Sequence, residues 1–369
     1  MSEANSTSES TKRRLSPLNC MCERHLPAPA GINRRQLLAG GGAAGLLASG
    51  LAPATLAQDS ARCIDVHCHI VSPAWLDAMD IIGRKDAVLA NWSVQKMLDD
   101  MDRAGVATAI TSPTTPQVAP LGRDTAVRLA RESNEYAKKL ESDHPGRFGT
   151  FAMLPLPHID DSLKEVAYAF DTLKVDGVSI MTSYRDKWLG YPEFAPLWEE
   201  LNRRKDTVYT HPTAANCCVN LVSGVIDASI EFGTDTVRSI ASVIFSGTSR
   251  KYPDINWIWS HGGGGLTAYA ERFEISMLRL PPYQGKITRE TVDNELNRFY
   301  YDTAQIANGV TLDALSKLVP VSQIVFGSDF PYRSAVEHAK GVAAHFQGDD
   351  LKKVERGNAL RLIPRLGSA

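Results

Sequence analysis

Short runs of apolar or β-branched residues recur along this chain, and after each one the apolar positions switch to helical spacing. The runs are Cys63–Val66, Val106–Thr111, Phe148–Leu154, Gly177–Met181, Thr207–Tyr209, Asn256–Trp259, Phe299–Asp302 and Gln323–Phe326. Most are continuous rather than alternating, the pattern of parallel strands covered on both faces. Between them, Val94, Met97, Leu98 and Met101 fall on one helical face, with Ser93 placed to cap the helix and Gly105 to end it. Similar stripes predict helices over Asp124–Leu140, Asp161–Leu173, Phe194–Arg203 and Thr311–Leu318. Eight strand–helix units predict an α/β fold of the (β/α)₈ TIM-like barrel type, with scope for distortion. An open doubly wound sheet would place a Gly-rich phosphate turn after its first strand, and Asp65-Val66-His67-Cys68-His69 stands there instead. The segment Cys217–Lys251, between the fifth and sixth strands, is longer than one helix needs. It predicts an insertion of two helices, through Ile226–Phe232 and Val237–Phe245, covering the barrel mouth or meeting another subunit.

Residues 1–57 do not share this pattern. Met1–Arg24 is rich in Ser, Thr, Asn and charge, a composition that predicts disorder. Asn33-Arg34-Arg35-Gln36-Leu37-Leu38 and the Gly/Ala-rich run Ala39–Leu56 resemble a twin-arginine export signal, with cleavage after Ala57. Pro53 and the many small residues make the run a poor membrane anchor. The chain therefore divides into a leader, 1–57, and one catalytic-sized domain, 58–369. The expected location is the periplasm, or the cytoplasm if the signal is not used. Among the 369 residues 43% are hydrophobic and 22% charged, ample for a large core, and a net charge of −2 gives no reason to expect nucleic acid or an anionic membrane as partner. Six cysteines, two of them in the leader, do not form a disulfide framework.

The chemistry gathers at strand ends. His67 and His69 are two apart, so on a strand they point the same way. His211 follows the fifth strand, His261 the sixth and Asp329 the eighth, each beside Pro, Gly or a turn. Taken singly, each fits a buried histidine or a capping aspartate equally well. In a barrel all these ends share one rim, and five such residues there point to a divalent metal. His144, His158, His338 and His345 lack this placement and read as structural or surface residues, and His25 lies in the leader.

The set His67-x-His69, His211-Pro212, His261-Gly-Gly-Gly and Gly327-Ser328-Asp329-Phe330-Pro331 resembles the amidohydrolase superfamily. It is closest to the amidohydrolase-related branch that holds the aminocarboxymuconate-semialdehyde, γ-resorcylate, 5-carboxyvanillate and 6-methylsalicylate decarboxylases. Met101-Asp102-Arg103-Ala104-Gly105, Tyr301-Asp302-Thr303-Ala304 and Gly357-Asn358-Ala359 extend the likeness from residue 62 to about 364. Asn220-Leu221-Val222-Ser223-Gly224 and Ser246-Gly247-Thr248 are most similar to the 6-methylsalicylate type.

The resemblance implies one divalent ion held by His67, His69, His211 and Asp329. Nitrogen-rich ligation favours Zn²⁺, and the carboxylate is compatible with Mn²⁺. Binuclear relatives carry a lysine at the end of the fourth strand, where this chain has Met181-Thr182-Ser183, so a mononuclear site is implied. His261 and Asp329 are the implied catalytic residues, His261 acting beside the ion and Asp329 delivering a proton to the ring carbon. The implied activity is that of a metal-dependent carboxy-lyase, a non-oxidative decarboxylase of a hydroxylated aromatic or related unsaturated acid. A hydrolase of lactones, esters or C–C bonds could use the same residues, and a non-catalytic metal-binding barrel is a third reading. The partners implied are a small carboxylic acid and further copies of the chain, as a dimer or tetramer. One departure stands out: aminocarboxymuconate-semialdehyde decarboxylases grip a substrate carboxylate with an arginine near Asn91–Met97, and this chain offers only Lys96 there. Trp92, Tyr184, Phe330 and Tyr332 are candidate walls for an aromatic substrate.

Overall fold

The eight strands pair in chain order and always in parallel, as the eight predicted runs require. They are β1 (Cys63–His69), β2 (Val106–Ser112), β3 (Phe148–Met153), β4 (Gly177–Met181), β5 (Thr207–His211), β6 (Asn256–Trp259), β7 (Tyr300–Asp302) and β8 (Ile324–Val325). This computed structural model describes residues 63–367 apart from Lys85 and residues 284–286; the leader expected over 1–57 lies outside the described residues. Ile64, Val66, Ile110, Phe151, Tyr209, Ile258 and Val325 form one buried cluster in the barrel interior, joined by Ile363 and Leu366 from the C-terminal segment. These side chains fill the barrel interior at this level.

The last strand is only two residues long, so the barrel does not close with a regular ladder. The chain beyond it closes the seam. Val66 N–H donates to the Phe326 carbonyl at 2.9 Å, Asp329 N–H to His67 O at 2.8 Å and His69 N–H to Phe330 O at 2.7 Å. A register shift in the β1–β2 pairing between Asp65 and Cys68 falls beside His67, in the manner of a bulge that re-aims a side chain at a barrel rim.

A principal helix follows each strand: α1 (Val94–Ala104), α2 (Arg123–Asp143), α3 (Ile159–Tyr168), α4 (Ala195–Arg204), α5 (Asp227–Phe245), α6 (Leu266–Arg279), α7 (Gly309–Leu318) and α8 (Ala335–His345). The α1 boundaries are those its punctuation predicts. Ser93 Oγ accepts from the Lys96 N–H, and Gly105 ends the helix at φ 73° in the left-handed region. None of the described helices is long and apolar enough to cross a membrane.

The insertion differs from expectation. In place of two helices, α5 runs unbroken through Gly233, and a short helix, Thr248–Lys251, follows it. The loop after β6 passes close to this helix: a Cβ on Gly264 would sit 2.3 Å from the Gly233 carbonyl oxygen, so Gly264 must lack a side chain. Thr234 and Thr236 hydroxyls return to the carbonyls of Ile230 and Phe232, so neither competes with the helix.

Asp235 pins α5 over the barrel. Its buried carboxylate accepts from Thr182 Oγ1 at 2.5 Å, Ser183 Oγ at 2.8 Å and Trp188 Nε1 at 2.6 Å. Replacing it strands three donors in a site that admits little water. Asp235→Ala is expected to lower stability by about 3 kcal/mol, read from the urea midpoint, because buried donors without partners cost about 1–3 kcal/mol each. A change within about 0.5 kcal/mol would show that the anchor does not hold the helix.

Candidate metal centre

The elements above bring the expected ligand residues to one place. His67 and His69 come from the end of β1, His211 from the end of β5, and Asp329 from the turn after β8. One ligand atom from each lies within 4.8 Å of all the others, and all four residues are buried. The imidazole tautomers follow from their second nitrogens. His67 Nδ1 faces Asp302 Oδ2 at 2.8 Å, His69 Nδ1 faces the Ser112 carbonyl at 3.2 Å, and His211 Nδ1 faces the Pro212 carbonyl at 2.9 Å. Carbonyl and carboxylate oxygens only accept, so each Nδ1 carries the hydrogen and each Nε2 lone pair is left for the centre. A histidine ligand held this way by an outer acceptor is the usual support of a protein metal site. His67 Nε2 lacks a well-angled hydrogen bond despite full burial, which an ion would satisfy. The donor set therefore fits a divalent cation.

Asp329 spans two environments. Oδ1 lies 2.9 Å from His69 Nε2 and 3.3 Å from His67 Nε2, whereas Oδ2 lies 3.4 Å from His261 Nε2. His261 stacks on His67 with ring centroids 5.0 Å apart, and its backbone N–H donates to Asp302 Oδ1. It stands at φ 53° and Asp329 at φ 65°, left-handed conformations that cost non-glycine residues about 1–2 kcal/mol. Backbone strain of this kind concentrates at working sites. Gly262 follows at φ 62°, where a Cβ would meet Ile306 at 2.5 Å, so only glycine fits behind His261.

Burial dominates the electrostatics, and charge then redistributes it. Burial would push His67 down, but the carboxylates of Asp302 and Asp329 outweigh it and raise the imidazole to about 10. His69 is lowered by burial despite Asp329, and His211 is lowered well below its usual value by burial and the neighbouring His69 and His67. Burial would raise Asp329, yet the His67 charge and the imidazoles of His261, His67 and His69 close around it hold it well below the usual carboxylate range. Asp65, beneath the site, is pushed up to about 7 by burial although Ser328 donates to it from both hydroxyl and backbone.

The centre forms the floor of a cavity of about 850 Å³, a size suited to a small organic ligand. His211, His261 and Asp329 face it from the rim, and Phe232 of α5 and Ile226 before it cover one side. Of the four candidate aromatic walls, only Tyr332 lines this space, its hydroxyl donating to Asp86 Oδ2 at 3.1 Å. Tyr184 is buried with its oxygen accepting from Met181 N–H, Trp92 packs in the core, and Phe330 borders a separate cleft with Lys96. Lys96 Nζ bonds the Asn91 carbonyl and does not reach the cavity. His144, His158 and His345 lie away from the centre. His338 is buried, with Nε2 accepting from the Gln305 backbone.

Three participants escaped the sequence. Asp302 ends β7 and binds His67, His261 and the Ala304 N–H at once; the strand-end rule that found the histidines would have found it too. Gln305 and Arg84 line the cavity from loops, where no periodicity marks them.

The profile of the family described as Amidohydrolase matches residues 64–365. A decarboxylase of Aspergillus niger is 35% identical over 82% of this chain and 87% of its own length. A 6-methylsalicylic acid decarboxylase of Penicillium expansum is 32% identical over 82% of this chain and 96% of its own. Among solved structures, dihydroxybenzoic acid decarboxylase from Polaromonas, with bound manganese and the inhibitor 2-nitroresorcinol, superposes with a TM-score of 0.75 at 21% identity, covering 83% of this chain and 98% of that one.

Because His67 holds a proton up to about pH 10, an entering cation must displace it. Metal affinity is therefore expected to fall about tenfold for each unit the pH drops below that value, so about 100-fold from pH 8 to pH 6. Competition with a chelator of known affinity reads this directly. Affinity flat across that range would contradict the proton's place on His67.

Proposed function

The chain belongs to the amidohydrolase family, and from that premise we propose that it is a metal-dependent, non-oxidative decarboxylase of hydroxylated aromatic acids of the 6-methylsalicylate kind. The observation that carries this reading is the division of Asp329, with one oxygen against the His67 and His69 imidazoles and the other facing a cavity beside His261. His67, His69, His211 and Asp329 would hold the ion. When bound, it supplies a positive centre that favours the phenolate form of the substrate and polarises its oxygens.

The chain's own groups account for the proton. The phenolic proton passes to Asp329 Oδ2, which delivers it to the ring carbon bearing the carboxylate. The bond from that carbon to the carboxylate then breaks, its electron pair returns to the ring, and CO₂ leaves; the product phenolate regains a proton from solvent. His261 Nε2, beside Oδ2 and without a hydrogen-bond partner, is placed to hold the substrate's oxygens at this edge. Tyr332 and Leu89 supply apolar surface for the ring. Arg84 is the one Lys or Arg lining the cavity among the described residues, and we assign it the carboxylate before cleavage.

Three imidazoles support Zn²⁺ as the ion, whereas manganese is the ion in the Polaromonas structure. Export by the twin-arginine route, from the pattern at Arg34-Arg35, and assembly as a dimer or tetramer are further parts of the proposal.

Incubating the full chain with salicylate-type acids tests the reading by CO₂ release. Activity is expected to vanish after chelation and to return with Zn²⁺ or Mn²⁺, the better ion settling its identity. No CO₂ from any hydroxybenzoate, or turnover indifferent to chelation, would sink the reading. Arg84→Met is expected to raise KM about 10-fold with kcat changed less than about threefold, the mark of lost binding to the substrate's charge.

A further inference from the structure

We propose that Gln305 is a positioning residue for Asp329, its side-chain amide locked by Arg333 as a donor to the carboxylate oxygen that faces the cavity. Gln305 Nε2 lies 2.6 Å from Asp329 Oδ2, and Gln305 Oε1 accepts from Arg333 Nη1 at 3.1 Å. The two ends of an amide look alike, and which is nitrogen is decided by the partners. A guanidinium has only donors, so the end facing Arg333 must be oxygen, and the NH₂ must face Asp329. Arg333 is itself held by the Glu337 carboxylate, one turn along. The backbone of Gln305 is fixed as well. It takes φ 61°, and its N–H donates to His338 Nε2 at 2.9 Å, while His338 Nδ1 donates to the Ser334 carbonyl. Burial lowers His338, which keeps that nitrogen an acceptor. A strained residue, a buried histidine and an ion pair thus converge on the aim of one amide.

The consequence rests on the decarboxylase reading. Oδ1 of Asp329 is turned to His67 and His69, so the proton destined for the ring travels on Oδ2. As it leaves, Oδ2 gains charge, and the bond from Gln305 changes from a neutral to a charge-assisted one, roughly twice as strong. From the protonated state the bond strengthens as the proton leaves, so it favours the delivery half of the step, and its main effect is to fix which carboxylate oxygen carries the proton to the ring. Gln305 also keeps the carboxylate from rotating and exchanging its two oxygens.

The test is a double-mutant cycle on the metal-loaded full chain, with CO₂ release from salicylate-type acids as the assay. Gln305→Met keeps the length of the side chain without its donor. It is expected to lower kcat about 10-fold with KM within about threefold and metal content unchanged. Arg333→Met frees the amide to turn and is expected to cost about threefold in kcat. The double variant is expected to be no slower than Gln305→Met alone, since Arg333 acts only through the amide. Unchanged kcat in Gln305→Met, a proportional rise in KM, or independent losses that multiply in the double variant would each overturn the proposal. If the wild-type chain releases no CO₂, the decarboxylase reading fails by itself. The same cycle is then read on lactone hydrolysis, where Asp329 would likewise move the proton, with the same outcomes deciding.

Discussion

Closure of the barrel between its first strand and the turn after its last is the constraint on which the site depends. Asp65 accepts from the His67 and Ser328 backbones and from the Ser328 hydroxyl, and the His67 carbonyl accepts from Asp329 N–H. These bonds do what a regular ladder does elsewhere in the sheet. They also fix the distance between His67 and Asp329, because each residue is bonded through its own backbone. The sheet edge that would otherwise be exposed is used up, and the same bonds set a carboxylate against two imidazoles. Structural closure and ligand geometry are therefore one arrangement.

Most of the fold was legible because strand and helix patterns switch cleanly. Each predicted strand lies within two or three residues of an observed one, and the α1 caps were readable residue by residue. The misread element was α5. Gly233-Thr234-Asp235-Thr236 looks like a break in a helical stripe, but the Thr234 and Thr236 hydroxyls return to helix carbonyls and Asp235 is anchored by Thr182, Ser183 and Trp188 from elsewhere in the fold. No local pattern carries that information.

The site was legible to the extent that chemistry coincides with strand ends. His67, His69, His211, His261 and Asp329 all obey that rule, and the structure brings them together. Asp302 obeys it too but was overlooked, since a single aspartate after Tyr301 is equally a turn residue. Gln305 and Arg84 could not have been found this way. Their roles come from loop conformations, including a left-handed Gln305, that depend on His338 and on tertiary packing. The aromatic walls illustrate the opposite error: Trp92, Tyr184 and Phe330 are near the site in sequence, yet their side chains are spent on the core, a hydrogen bond and a different cleft.

His69 and Asp329 are 260 positions apart. A chain still emerging from the ribosome has β1 and its two histidines early, but their carboxylate partner arrives only when synthesis is nearly over. Until then the half-built centre offers imidazoles alone, a loose and unselective chelator. The complete donor set exists only once the turn after the last strand is docked against the first, so tight metal binding and closure of the barrel are coupled.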